Sequence, residues 1–129
     1  MNTIDKVADL TGRSFLAAIF LISGLGKIGQ YAGTQGYMTS AGVPGQLLPL
    51  VIGLEVAGAL AIIIGWQTRL AALALAGFSL LSALLFHANL QDQMQMILFL
   101  KNIAIAGGFL LLYVHGAGGW SLDVRRAEA

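Results

Sequence analysis

Two stretches of this chain, residues 70–91 and 102–122, contain no Asp, Glu, Lys or Arg. Each is long enough to cross a bilayer as a helix, since about 20 mostly apolar residues cover roughly 30 Å of hydrocarbon. The composition of the whole chain agrees: 57% of its 129 residues are hydrophobic, 10% are charged and the mean hydropathy is +0.81. A soluble domain carries about 25% charged residues, so there are too few here to coat a globule of this size. A soluble enzyme and a disordered segment are thereby excluded. Seven Lys/Arg against six Asp/Glu leave no basic surplus for a phosphate backbone, so no nucleic-acid partner is expected. The chain reads as an integral membrane protein whose first partner is the lipid bilayer.

The sequence has no cysteine, which removes disulfides, thiolate metal sites and cysteine nucleophiles. His87 and His115 lack the paired spacing of a metal site. No metal, haem or flavin site is evident, and electrons, if they move here, need a carrier from outside.

Two further spans carry a charge. The first covers about residues 10–29, where Arg13 and Lys27 flank an uncharged centre and can reach toward the headgroups. The second covers about 46–65 with Glu55 near its middle. The third and fourth then run over about 69–87 and 96–115. The expected fold is all-α, one four-helix membrane bundle spanning the chain. Between the first two spans, residues 30–45 hold four glycines, Pro44 and no charge, reading as a loop with room for a short interfacial helix. Trp66, Gln67 and Thr68 form a tight turn.

Lys6, Arg13, Arg69, Arg125 and Arg126 all fall on one side of this bundle, and the two loops on the other side hold no Lys or Arg. By the positive-inside rule both termini are expected in the cytoplasm. A cleaved signal peptide would compete for the first segment, but Lys27 stands where a small-residue cleavage site should be, so a retained helix is expected.

Counted along the helices, Glu55 lies near the midplane, with Lys101 about 7 Å, Lys27 about 10 Å and His87 about 13 Å toward the outer face. An ionised side chain at the bilayer centre costs at least about 2.5–3.5 kcal/mol, so Glu55 should face inward and meet a cation. Lys101 has the better depth for that contact and Lys27 is second. Small residues accompany each charge at helical spacing: Gly58 and Ala59 with Glu55, Ala104 and Gly108 with Lys101, Ser23 and Gly24 with Lys27. Leu110, Leu111 and Leu112 are expected to face lipid. Two lysines and one glutamate would leave a surplus positive charge, suiting a sulfur oxyanion, a lipid phosphate or a quinone. The competing reading is a polar clasp that fixes helix register and binds nothing. Asn102 can hydrogen-bond between helices. Lys27 can simply reach the interface, and His87 can cap a helix end. Tyr31 and Tyr37 could line an outer vestibule, while Trp66, Tyr113 and Trp120 suit an interfacial belt.

Arg13, Ser23-Gly24-Leu25-Gly26-Lys27-Ile28, Gly42-Val43-Pro44 and Gly53-Leu54-Glu55-Val56-Ala57-Gly58 follow one another along the chain. Gly65-Trp66-Gln67-Thr68-Arg69, Phe86-His87, Lys101-Asn102-Ile103-Ala104 and Ser121-Leu122-Asp123 continue the series. In this order they resemble the DoxX family over about residues 10–125. The resemblance implies a small four-helix protein of the bacterial inner membrane, some of whose relatives are tied to a thiosulfate:quinone oxidoreductase or to oxidative-stress complexes. It picks out Lys27, Glu55, His87 and Lys101 without giving them roles.

Three functions are compatible with these residues. In a quinone-linked oxidoreductase subunit, Lys27, Glu55, Lys101 and Asn102 would hold the quinone. Glu55, Lys101 and His87 would be the candidates for proton chemistry, and a redox-enzyme partner would supply electrons. The chain could instead be a non-catalytic assembly module for a redox enzyme or lipid. A small proton-coupled permease is the third, and four spans would have to form a homo-oligomer to build its path.

Overall fold

The computed structural model describes residues 2–128. It contains helices α1 (Thr3–Gly29), α2 (Tyr31–Ser40), α3 (Leu48–Ile64), α4 (Thr68–Phe86), α5 (Gln93–His115) and α6 (Leu122–Glu128), with a 3-10 turn at Gly45–Leu47 leading into α3. No strand occurs among the described residues. Four of these segments are long and apolar enough to cross a membrane: Thr3–Gly29, Gly45–Ile64, Thr68–Phe86 and Gln93–His115. The first begins seven residues before the expected span, because the polar Asn2 caps it: its side chain accepts from the Asp5 amide at 2.8 Å, and Asp5 complements the helix dipole. Likewise α5 starts at Gln93 on an Asp92 cap. Of the loop at 30–45, the stretch Tyr31–Ser40 is the short helix for which the sequence left room.

α1 lies along α3, α4 along α5, and α3 joins the two pairs, while α1 and α5 scarcely meet. One end of the bundle, the base, holds the start of α1, the α3–α4 turn and residues 116–128. The distal end holds α2 and the α4–α5 loop. Small residues bring the helices together. Ala17, Ala59, Ala72, Ala76 and Ala106 are buried, and Gly58 receives the Leu75 side chain at its Cα, where an added Cβ would sit 3.3 Å from it. Phe20 fills the centre, its ring edge-on to Phe109 at 5.5 Å and to Phe78 at 6.3 Å. Leu110 and Leu111 are exposed as expected of lipid-facing residues, but Leu112 turns inward and joins the core. Three consecutive positions span about 200° of a helix and cannot share one face.

Candidate functional site

Polar side chains gather at both ends of the bundle. At the base, Arg13 is 2% exposed and does not reach for the headgroups as expected. Its Nε donates to Asp9 Oδ2 at 2.9 Å, Nη1 to the carbonyls of Ile62 and Ile63 at 2.8 and 3.0 Å, and Nη2 to that of Trp120 at 2.6 Å. The last carbonyls of a helix lack partners within it, and Arg13 supplies donors for those ending α3. Asp9 in turn accepts from the Gly118 amide at 2.8 Å. The α3–α4 turn passes through Gly65 (φ 73°) and Gln67 (φ 49°). Asp123 of α6 accepts from the amides of Gln67 and Thr68, each at 2.8 Å, and its own amide donates to Gly65 O at 2.8 Å. Partial burial pushes the Asp123 carboxyl up. The Thr68 side chain and amide, the Gln67 amide and the charge of Arg126 outweigh that and hold it below the usual 3.8.

The distal half is built around a cavity of about 410 Å³. Ile19 and Phe20 of α1, Val51 of α3, Phe78, Leu81, Leu85 and Phe86 of α4 and Ile105 of α5 form its apolar walls. Thr34, Tyr37 and Met38 of α2 lie over it, with the Tyr37 ring stacked on Phe86 at 5.2 Å. Its polar groups include Ser23, Lys27, Glu55, Ser79, Ser82, His87 and Asn102. His87 Nδ1 lies 2.9 Å from Gln95 Oε1, tying the end of α4 to the first turn of α5.

Glu55 is 1% exposed and does meet a cation, but the cation is Lys27. Lys27 Nζ lies 2.6 Å from Glu55 Oε1 and donates to Ser23 Oγ at 2.6 Å. Lys101, expected to be the nearer partner, is exposed, has no ion pair among the described residues and does not line the cavity. The direction of each helix explains the exchange. Side chains lean toward the N-terminus of their own helix. α1 runs toward the distal end, so Lys27 leans back to mid-bundle, over Ser23 one turn earlier. α5 starts at the distal end, so Lys101 leans away from Glu55 and toward the surface. Gly24 completes the contact: a Cβ there would stand 2.7 Å from Val56 Cγ2 and 3.2 Å from Glu55 Cβ, so its absence lets α1 sit against α3.

With Lys101 outside, the cluster is one lysine against one glutamate, and no surplus positive charge arises from the pair. Asn102, His87 and Tyr37 line the cavity; Tyr31 does not. The aromatic walls and the serines of α4 were not anticipated, although Phe78, Ser82 and Phe86 repeat at i, i+4 and i+8 along the third apolar run.

The family model described as DoxX matches residues 8–88. Inner membrane protein YqjF of Escherichia coli K12 is 49% identical over 123 residues, covering 95% of both chains. Inner membrane protein YphA of the same organism is 37% identical over 124 residues, covering 90% of this chain and 88% of its own. The chain belongs to the DoxX family. No solved structure matches it. The DoxX match ends just past His87, so it includes Lys27, Glu55 and most of the cavity wall but not Asn102 or Lys101.

Proposed function

We propose that this DoxX protein is a quinone-binding subunit of a membrane oxidoreductase, set in the inner membrane with both termini in the cytoplasm. The observation that carries the reading is the Lys27–Glu55 pair at the base of an aromatic-walled cavity. An ammonium has three N–H donors. On Lys27 one of those goes to Ser23, and Glu55 is in ion-pair contact with the amine while its buried Oε1 accepts no hydrogen bond, so donor capacity remains for a ligand oxygen. Because the pair is neutral as a whole, it favours a neutral carbonyl over the sulfur oxyanion or lipid phosphate that a cationic cluster would attract. Phe20, Phe78 and Phe86 offer surfaces for a flat ring, and the Asn102 amide and Tyr37 hydroxyl add further hydrogen-bonding groups. The residues present therefore fit a quinone head.

When bound, a quinone supplies two-electron, two-proton redox chemistry. The chain's own part is to bind and orient: Lys27 donates to the head, Glu55 holds the Lys27 amine in place, and the apolar wall keeps bulk water away. His87, at the distal end of the cavity beside Gln95, is the residue we assign to proton exchange with the outer surface. A redox-enzyme partner delivers or removes electrons. The inner-membrane names of YqjF and YphA and the one-sided Lys/Arg distribution support the location and orientation.

The test is extraction in mild detergent followed by mass spectrometry of co-purified small molecules, with wild type beside Lys27→Met. Wild type should retain ubiquinone or menaquinone and Lys27→Met should lose most of it. A well-folded wild type that retains none, and whose melting temperature does not move when quinone is added, overturns the reading.

The assembly-module reading keeps one observation of its own. Lys101 is exposed on α5 beside Ala104 and Gly107, and a Cβ added at Gly107 would meet nothing within 4 Å. Loss of a co-purifying subunit in Lys101→Met, with quinone retention intact, would support that reading.

A further inference from the structure

The distal cavity reaches the surface at two places. At its distal end Met38 is buried and His87 is joined to Gln95, while Tyr37 and Leu47, which also line it, are exposed. Its flank is apolar throughout. Ile19 of α1 and Leu81 and Leu85 of α4 line the cavity and are also 39%, 56% and 43% exposed. All three stand within membrane-spanning helices, where an exposed side chain faces acyl chains rather than water. Along α1, Ile19 is about 15 Å below the distal end of its helix, well inside the hydrocarbon. Across this part of the bundle, α1 reaches α4 through the Phe20–Phe78 ring contact and approaches α5 at Leu16–Gly108 and Phe20–Phe109. These three contacts lie at or below Phe20, on the base side of Ser23 and Lys27.

Volume sharpens the point. About 410 Å³ is near the lower end of the roughly 300–1,000 Å³ spanned by small-molecule sites. A ring with its oxygens fits, but a long isoprenoid or alkyl tail does not fit beside it. The head must also lie deep, because Lys27 leans toward mid-bundle and its partner Glu55 is near the midplane.

From the open flank, the limited volume and the depth of the polar groups, we infer that the cavity takes its ligand sideways from the bilayer. The ligand class is a neutral, oxygen-bearing ring on a long apolar tail, with the ring at Lys27 and the tail leaving between α1 and α4 past Ile19, Leu81 and Leu85. This rests on the quinone reading above and adds the tail and the route. Ligands dissolved in water, including tailless quinones, are then poor occupants, because they lack the apolar tail that would lie among the acyl chains along this flank.

The experiment uses the full chain in proteoliposomes and a benzoquinone ring with a decyl tail that ends in a photoactivatable diazirine. Adducts are mapped by mass spectrometry, and only those displaced by excess unlabelled decyl compound are counted. The expected sites are Ile19, Leu81 and Leu85. The double variant Ile19→Trp/Leu81→Trp, which plugs the flank, should cut displaceable labelling about tenfold, equivalent to roughly 1.4 kcal/mol. Leu60→Trp, at an exposed position outside the cavity, should leave labelling unchanged, and melting temperatures of all three proteins show that they are folded. If the double variant fails to fold, Leu85→Trp alone replaces it. Displaceable adducts on Tyr37 or Leu47 would overturn the lateral route while leaving quinone binding standing. An absence of displaceable adducts anywhere would remove both.

Discussion

At the base, Arg13 donates to three backbone carbonyls and to Asp9; in the distal half, Lys27 donates to one hydroxyl and pairs with one carboxylate. Both are basic residues of α1, and both are drawn inward by an acid. The difference lies in what surrounds them. Around Arg13 the ends of α3 and the segment before α6 close in so tightly that a Cβ at Gly65 would collide with Ser121 and stand 2.9 Å from Arg13 Nη1. Around Lys27 the neighbours leave a cavity. A buried charge enclosed by the backbone it donates to holds a fold together, whereas one that borders empty space can hold a guest.

The contrast predicts unequal costs, which can be ranked. Arg13→Met leaves three carbonyls and Asp9 without their donor and should destabilise the protein by about 3 kcal/mol or more, read from unfolding in detergent. A loss under 1 kcal/mol would mean that the base is not the structural end. Gly65→Ala places a side chain at φ 73° and against Ser121, and should cost about 2 kcal/mol by the same measurement. Glu55→Gln keeps the shape of the side chain and removes its charge. Lys27, a quarter exposed, can be partly rehydrated, so the stability loss should be on the order of 1 kcal/mol, while quinone retention falls sharply. If stability falls as far as in Arg13→Met and retention does not change, the distal pair is only a structural clasp.

The smallest effect concerns pH. The Asp123 carboxyl is held below its ordinary 3.8 in the folded chain, so the ionised form stabilises the fold. That contribution is fully present above 3.8 and is lost as the pH falls below it, through the lowered value of the folded protein. Asp123→Asn should therefore narrow the stability gap with wild type as the pH drops below 3.8, measured by unfolding at a series of acidic pH values. A gap that stays constant across that range would detach Asp123 from the turn it caps.

Hydropathy carried the four spans and the need of Glu55 for a cation, because both follow from the cost of placing charge in hydrocarbon. The choice between the lysines did not follow. Depth along a helix says how far a Cα lies from the midplane and nothing of the way its side chain leans, so Lys101 looked nearer to Glu55 than Lys27 did. Hydropathy puts Arg13 at the edge of a span and so points it to the interface. Its carbonyl partners at Ile62, Ile63 and Trp120 belong to segments about fifty and one hundred residues away, and every residue type offers such an acceptor, so no pattern marks them. Asp9, one turn before Arg13, was the available hint. The cavity was legible only in its polar members, since empty space leaves no residue of its own in a sequence.

The missing side chain at Gly24 sets a gauge. Val56 and the stem of Glu55 stand 2.7 and 3.2 Å from where its first carbon would be, so a single methyl group introduced there would work as a shim between two rods. It would spread α1 from α3 and stretch the gap between amine and carboxylate, with neither charged residue altered. The grip on a guest would then be tuned by a spacing a few tenths of an ångström wide, from a position that carries no chemistry of its own.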